Sequence, residues 1–456
     1  MRALSAFVGL LLLALGAARC TSNGTPTDAQ PQGGSDTVRV YYGPNESHSR
    51  DWAQVGDEGL VGVVYFQHSS SGGAEGTLRY ETIRSDGSKE EESVTTGTRL
   101  EKAVLLFDSS FQPHIFVANS SASDQTIDHY FRGGDHQWRS ETIVHFLGEG
   151  GKAIYELSGA TGPDRSFHLL ILKTRVEVDS DDIDLAWTDS RLFYLTNASG
   201  QWVKELIQSY DMAYTYDFYI KASIRQDIAV DDLGHVHVVF GEQIRGSTDP
   251  SRLRYATNET GSWRVETALN YQAGTVDDAG WFPSLALDSH GVPHIACVYV
   301  SRVPTHSATS ATLLFLTRRG SGDWQSEIVA DTDDGYFGGD GRRYTGGLAH
   351  LVFDRHDTPH IAFSDIASTH WPGTQRLTTG NVRYAVRRGG AWNLSTIYRQ
   401  PSPTSFFSGR EMHGLCLLLL EGARTVRIVA QELLLTNPSQ YSSRLPDFSW
   451  QEDSNG

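Results

Sequence analysis

Short apolar runs alternate with clusters of Gly, Asp, Ser and Pro along almost the whole chain. The runs are rich in Val, Ile, Leu and aromatic residues. Such runs predict β-strands and the clusters predict turns. No stretch carries the period of a long amphipathic helix. Around residues 283–330 the pattern predicts four strands, at 283–288, 294–300, 313–317 and 324–330.

The pattern repeats. Four times an aspartate ending one apolar run is followed, six residues later, by a histidine opening the next: Asp108/His114, Asp231/His237, Asp288/His294 and Asp354/His360. Each histidine is followed 24 to 32 residues on by a tryptophan, at Trp138, Trp263, Trp324 and Trp392. A third strand recurs as LRYET (78–82), IDHYF (127–131), LFYLT (192–196), LRYAT (253–257), LLFLT (313–317) and VRYAV (382–386). A fourth recurs as WRSETI, WVKELI, WRVETA, WQSEIV and WNLSTI. Self-similarity at this period marks one supersecondary unit used many times. Seven units fit the chain. Unit one lacks the histidine, unit three has His168 and Trp202 without the aspartate, and unit seven puts Glu421 and Arg427 at the same spacing. A sheet of four short strands cannot bury both faces alone, and radial packing solves this. The expected fold is all-β: a β-propeller of four-stranded antiparallel blades over residues 37–456, with seven blades, or six if unit one or seven is irregular. The segment TVRVYY (37–42) is expected to pair with the last sheet and close the ring.

The D-x-x-G-x-P-H-I-A phrase, the tyrosine-bearing third strand and the strand-four tryptophan resemble the secreted bacterial propellers of the broad sialidase-like, BNR-type group, over most of residues 50–430. The sialidase S-x-D-x-G-x-T-W box and N-terminal arginine motif are absent, so the resemblance does not carry sialidase activity. It implies a propeller, and some members of the wider group look like polysaccharide lyases working with histidine, tyrosine and arginine on one face.

A residue present at one register in unit after unit is most simply structural. The aspartate and histidine flank the tight turn between strands one and two. A carboxylate there can accept from turn amides or from the imidazole. His114, His168, His237, His294 and His360 are therefore assigned to the scaffold, and the repeated tryptophans to packing.

Composition narrows the function. The chain has 456 residues, 39% of them hydrophobic, and a net charge of −17. That charge argues against nucleic acid, whose phosphates call for a basic face. Met1 to Ala18 has the pattern of a secretory signal, with Arg2, an apolar run and small residues at 16 and 18. Cys20 leaves simple secretion and lipid anchoring both open, the signal then ending at 18 or 19. Residues 19–36 form a polar tether, and no span crosses a membrane in the mature chain. Location outside the cytoplasm, in the periplasm or at the cell surface, follows. Cys297 and Cys416 are expected as buried free thiols, and the chain as a monomer.

The turns between strands one and two and between three and four are short. The other connections are long and variable, and in a meandering blade both long classes reach the same face. Loops on a rigid frame are where sites usually sit. Lys102 and Arg225, six positions before the turn acid, and Arg343 and Arg410, eleven before it, fall at the starts of inner strands. Tyr210, Tyr214, Trp281, Tyr344 and Trp371 share that face with His306, His370 and His413. Arginine grips carboxylates in two-point fashion and aromatic rings stack on sugars. The expected partner is an anionic, uronate-containing polysaccharide. Cleavage by β-elimination would use a cation on the carboxylate, with histidine and tyrosine as base and acid. A glycoside hydrolase would instead need two carboxylates about 5 to 9.5 Å apart. A non-catalytic lectin-like or protein-binding surface is the alternative. No cofactor is expected. Asp331, Asp333 and Asp334 offer oxygens to calcium, but a solvated acidic loop explains them better.

Overall fold

The computed structural model describes residues 53–451 apart from short segments at 57–59, 69–74, 85, 99, 121–124, 147–152, 179–184, 216–225, 244–250, 271–277, 303–307, 332–340, 372–373, 399–408, 421–424, 438–439 and 445–446. The expected signal and tether (1–36) and closing strand (37–42), with His48, Arg225, His306, Asp333, Asp334 and Glu421, lie outside the described residues. No described helix is long and apolar enough to cross a membrane.

The described chain is a run of antiparallel sheets. Six of them, at 53–98, 100–145, 153–215, 226–269, 278–331 and 341–398, hold four strands each in simple chain order. A last sheet at 409–451 is irregular. There Gln440–Arg444 and Asp447–Gln451 share one edge of Thr425–Asn437, pairing with Glu432–Asn437 and Thr425–Val429 respectively. The reading with six regular blades and an irregular seventh unit thus describes the molecule. The first strand of each sheet packs against the first strand of the next, and that of the last against that of the first, so the sheets close into a ring.

The core is divided among the seams. Apolar clusters lie between the first and second sheets (Val63, Leu105, Ile115), the second and third (Phe116, Leu157, Ile171), the third and fourth (Leu170, Tyr194, Val238) and the fourth and fifth (Tyr255, Ile295, Cys297). The largest joins the fifth, sixth and seventh through Phe315, Phe363 and Ile428. Leu418 of the last sheet sits in the cluster of the first two, closing the circle with apolar contact. A single sheet of this width could bury only one face, so the ring is what makes each strand pattern pay. Cys297 is a free, fully buried thiol, and burial pushes its pKa up.

The repeated aspartate and histidine are scaffold. Asp354 Oδ1 accepts from the amides of His356 and Thr358, both at 2.8 Å. Asp108, Asp231 and Asp288 take the equivalent pair of turn amides. The second oxygen faces the histidine: His294 Nε2 is 3.2 Å from Asp288 and His360 Nε2 is 3.5 Å from Asp354. The other ring nitrogen meets the third strand. Tyr194, Tyr255 and Tyr384 hydroxyls lie 2.5 Å from Nδ1 of His168, His237 and His360. A neutral imidazole with its proton on Nε2 satisfies both contacts. Two sheets deviate and compensate. In the fifth, Phe315 stands where the tyrosine would be, and Thr317 Oγ1 takes His294 Nδ1 at 3.0 Å. In the second, His129 replaces the tyrosine, bonding His114 at 2.8 Å and Glu141 at 3.0 Å. Unit three does have its acid, two residues late: Asp164 holds Ser166, whose hydroxyl reaches His168 Nε2 at 2.7 Å. The sequence pattern missed it because Gly162 holds the usual place of the acid, in a turn of the same register.

The tryptophans join neighbours. Trp138, Trp263, Trp324 and Trp392 donate their indole N–H to Glu92, Glu205, Glu266 and Glu327 of the preceding sheet, at 2.9 to 3.3 Å. Each also sets its ring edge against an aromatic of that sheet, as Trp324 does on Tyr255 with centroids 5.1 Å apart. Two of the Asn-x-Ser/Thr triplets have a structural use: Asn197 and Asn258 Oδ1 accept from Phe167 N and Val236 N, each at 2.7 Å.

Candidate functional site

In each of the six regular sheets the start of the first strand, the tip joining strands two and three, and the end of strand four lie at one end. All the long connections gather there, as their lengths predicted. Two of them are not simple loops over their described residues, however. Residues 173–191 and 365–380 are largely hairpin arms: the ladder runs out to Val178↔Ala186 in the third sheet and to Trp371↔Thr374 in the sixth. The fourth strand of the third sheet follows, out to Leu185↔Thr215. Their polar composition suggested loops, but alternating Val, Ile and Thr let the ladder continue and satisfy backbone groups.

Register places the candidates. Arg343 and Tyr344 lie on the first strand of the sixth sheet, Gly341–Phe353, opposite Ala367 and Ile366. His370 and Trp371 close that sheet's hairpin arm, Trp371 opposite Thr374. Arg410 lies opposite Leu434 at the start of Gly409–Leu420, the neighbouring first strand. His413 falls where that ladder slips, between Met412 and Gly414. Tyr210 and Tyr214 sit farther round, on the outer strand of the third sheet opposite Ser190 and Ala186. Lys102 is near the start of the second sheet's first strand, just past a slip at Leu100, and is only 6% exposed.

Trp281 is a correction. It is 3% exposed and packs in the core cluster of the fifth and sixth sheets. The ladder slips on both sides of it, and Gly280 and Phe282 take positive φ of 85° and 49°. This local twist turns the ring into the seam, so it offers no face to a sugar. The sixth sheet repeats the device: two slips between Thr345 and His350, with Leu348 at φ 56°. Bulges of this kind re-aim side chains and recur beside functional sites.

A polar seam along the inner strands escaped the sequence reading. Ser158 Oγ donates to Gln226 O at 3.3 Å. Asp227 Oδ2 accepts from Leu285 N at 2.8 Å, Ser284 Oγ from Leu351 N at 3.0 Å, and His350 Nδ1 from Leu417 N at 2.8 Å. Each side chain crosses to the next sheet's first strand. Asp227, Ser284 and His350 all stand four positions before a turn aspartate, in otherwise apolar strands. That spacing was the available signal, and alignment on the turn acid at six and eleven positions passed over it.

Charge at the far end of the fourth sheet is also new. Glu242 Oε2 is shared by Arg252 Nε at 2.7 Å and Arg254 Nε at 3.3 Å. Two guanidiniums on one carboxylate form a cationic spot in an acidic protein. His114 and His168 contribute no charge near neutrality, since burial lowers both to about 4, and burial also lowers His237 and His294. Asp331 Oδ1 accepts from Thr312 Oγ1 at 3.0 Å. Among the described residues no group of three His, Cys, Asp or Glu is placed to hold a metal.

No family model matches the chain, and no curated protein matches it, so the sialidase-like resemblance has no support from sequence families. Solved structures do match in fold. The chain is similar to the polysaccharide lyase Uly1, with TM-score 0.52 and 10% identity over 93% of this chain and 95% of that one. It is similar also to an ulvan lyase of a new polysaccharide lyase family, with TM-score 0.52 and 9% identity over 90% of this chain and 94% of that one. At such identities the likeness establishes the propeller fold, end to end, and nothing finer.

Proposed function

We propose that the protein is a carbohydrate-active propeller whose long-hairpin face grips an anionic, uronate-containing polysaccharide and cleaves it by β-elimination. One observation carries the reading: the ladder registers bring Arg343, Tyr344, His370 and Trp371 of the sixth sheet to the same end of the ring as Arg410 and His413 of the seventh, on neighbouring strands. The end-to-end fold likeness to two polysaccharide lyases supports it. Arg343 or Arg410 neutralises the uronate carboxylate and so acidifies C5–H. His413 or His370 takes that proton. The C4–O bond breaks as the C4=C5 double bond forms, and Tyr344 protonates the leaving oxygen. Lys102, Arg252 and Arg254 extend the cationic track, and Tyr210 and Tyr214 belong to its outer reach.

The test is activity on a panel of acidic polysaccharides, ulvan among them, followed by absorbance of the unsaturated uronate with binding measured in parallel. Product formation lost in Arg343→Ala and His413→Phe, but kept in His294→Gln, supports the reading. Binding without product makes the protein a surface lectin. Neither binding nor product on any polymer overturns the anionic-sugar assignment.

A further inference from the structure

The inter-sheet stitches are not equivalent. Three of the four use serine or aspartate, and the one between the sixth and seventh sheets uses His350. The two strands that it joins are the ones carrying Arg343 and Tyr344 on one side and Arg410 and His413 on the other. His350 stands six residues beyond Tyr344, and its acceptor nitrogen holds Leu417, four residues beyond His413. The seventh sheet is also the irregular one, its third rank split between two short strands. Its first strand therefore has a less continuous ladder behind it, and bonds across the seam carry more of its placement. On the other side, His350 follows a double slip of the ladder and the left-handed Leu348, so its own backbone is locally fixed away from the regular pleat.

We infer that His350 is a positioning residue: its Nδ1 bond to Leu417 N sets the spacing between the two strands that bear the proposed cleavage residues. The inference rests on the lyase reading above. Catalytic groups displaced by about an ångström can lose a hundredfold in rate, so a single cross-strand strut at this seam is enough to matter. The imidazole acts as acceptor, with its proton on Nε2, and a carboxamide oxygen can take the same place.

The experiment compares the full chain with His350→Leu, which removes the acceptor, and His350→Asn, which keeps one. Ser158→Ala serves as control for a stitch remote from the site. Two readouts are taken: hydrogen exchange at the Leu417 amide, and kcat and KM on the polymer cleaved by the wild type. In His350→Leu the amide is expected to exchange about tenfold faster or more and kcat to fall by about tenfold to a hundredfold, with KM little changed. His350→Asn restores both. Ser158→Ala changes neither. If the leucine variant does not fold, His350→Ala gives the same comparison. Exchange accelerated with kcat unchanged overturns the positioning role, and exchange unchanged overturns the strut itself. Failure of His350→Asn to rescue assigns the effect to bulk rather than to the bond and also overturns it. A wild type silent on every polymer sinks the lyase reading, and this role with it, while the exchange data still report on the seam.

Discussion

Trp324 of the fifth sheet donates its indole N–H to Glu266 of the fourth at 2.9 Å, and Arg318 reaches the same carboxylate oxygen at 3.1 Å. The other oxygen takes the Gly322 amide at 2.9 Å. The Ser321 hydroxyl donates to that second oxygen too, at 3.3 Å, so one carboxylate gathers four donors from the neighbouring sheet. Trp324→Phe loses the hydrogen bond and part of the packing against Tyr255, and is expected to cost about 1 to 2 kcal/mol. Glu266→Ala removes the acceptor that four donors share and is expected to cost about 2 to 3 kcal/mol. Urea denaturation of both variants checks the order.

Acid should loosen the ring well before its carboxylates titrate. His168 is lowered from 6.5 to about 4, chiefly by burial. The unfolded chain then binds a proton between those values that the folded chain does not. Stability is complete above 6.5 and declines as pH falls toward 4, by at most about 3 kcal/mol for this histidine. His168→Gln should flatten that part of the pH–stability curve. An equally steep curve in the variant would show that His168 is not the group responsible.

The turn aspartates act through one oxygen. Because both amides go to Asp354 Oδ1, Asp354→Asn can retain them and should cost less than about 1 kcal/mol, while Asp354→Ala should cost about 2 kcal/mol. Thermal melts of the two variants distinguish them. Equal losses would mean that the charge facing His360, not the turn, is what matters.

Gly280 and Gly390 both take positive φ, at 85° and 84°. A Cβ on Gly280 would lie 2.5 Å from Leu253 Cβ, whereas one on Gly390 meets nothing within 4 Å. Gly390→Ala should therefore cost only the conformational penalty, about 1 kcal/mol. Gly280→Ala adds a clash with a buried strand and should cost clearly more, seen as a lower yield of folded protein and a lower melting temperature.

The strands, the turns and their repeat were legible because they follow from local pattern. So was the division of labour: a histidine at one register in sheet after sheet proved to be a clamp between turn and third strand. What stayed hidden depends on contacts between sheets. The Glu of W-x-x-E carries no mark that it serves the next sheet's tryptophan, and Ser284 or His350 is marked only by its spacing from the turn aspartate, which does not show that it reaches across a seam. Trp281 was misjudged because a double slip of the ladder, invisible in composition, reverses which way the ring faces. The hairpin arms were misjudged because polar residues at the tips of long strands look like loops. Of the candidate site, the face and its arginine-bearing strands were legible, since they follow from where each unit's long connections must emerge.

The tryptophan contacts have a direction. In each of the four pairs the glutamate belongs to the earlier sheet and the tryptophan to the later one. The first sheet offers Glu92 and has no tryptophan in its own fourth strand, Lys89–Thr98. A chain synthesised from its N-terminus therefore always presents the acceptor before the donor appears. The second, fourth, fifth and sixth sheets, as they leave the ribosome, each bring a latch to a keeper already in place, so these four seams can close in the order in which they are translated.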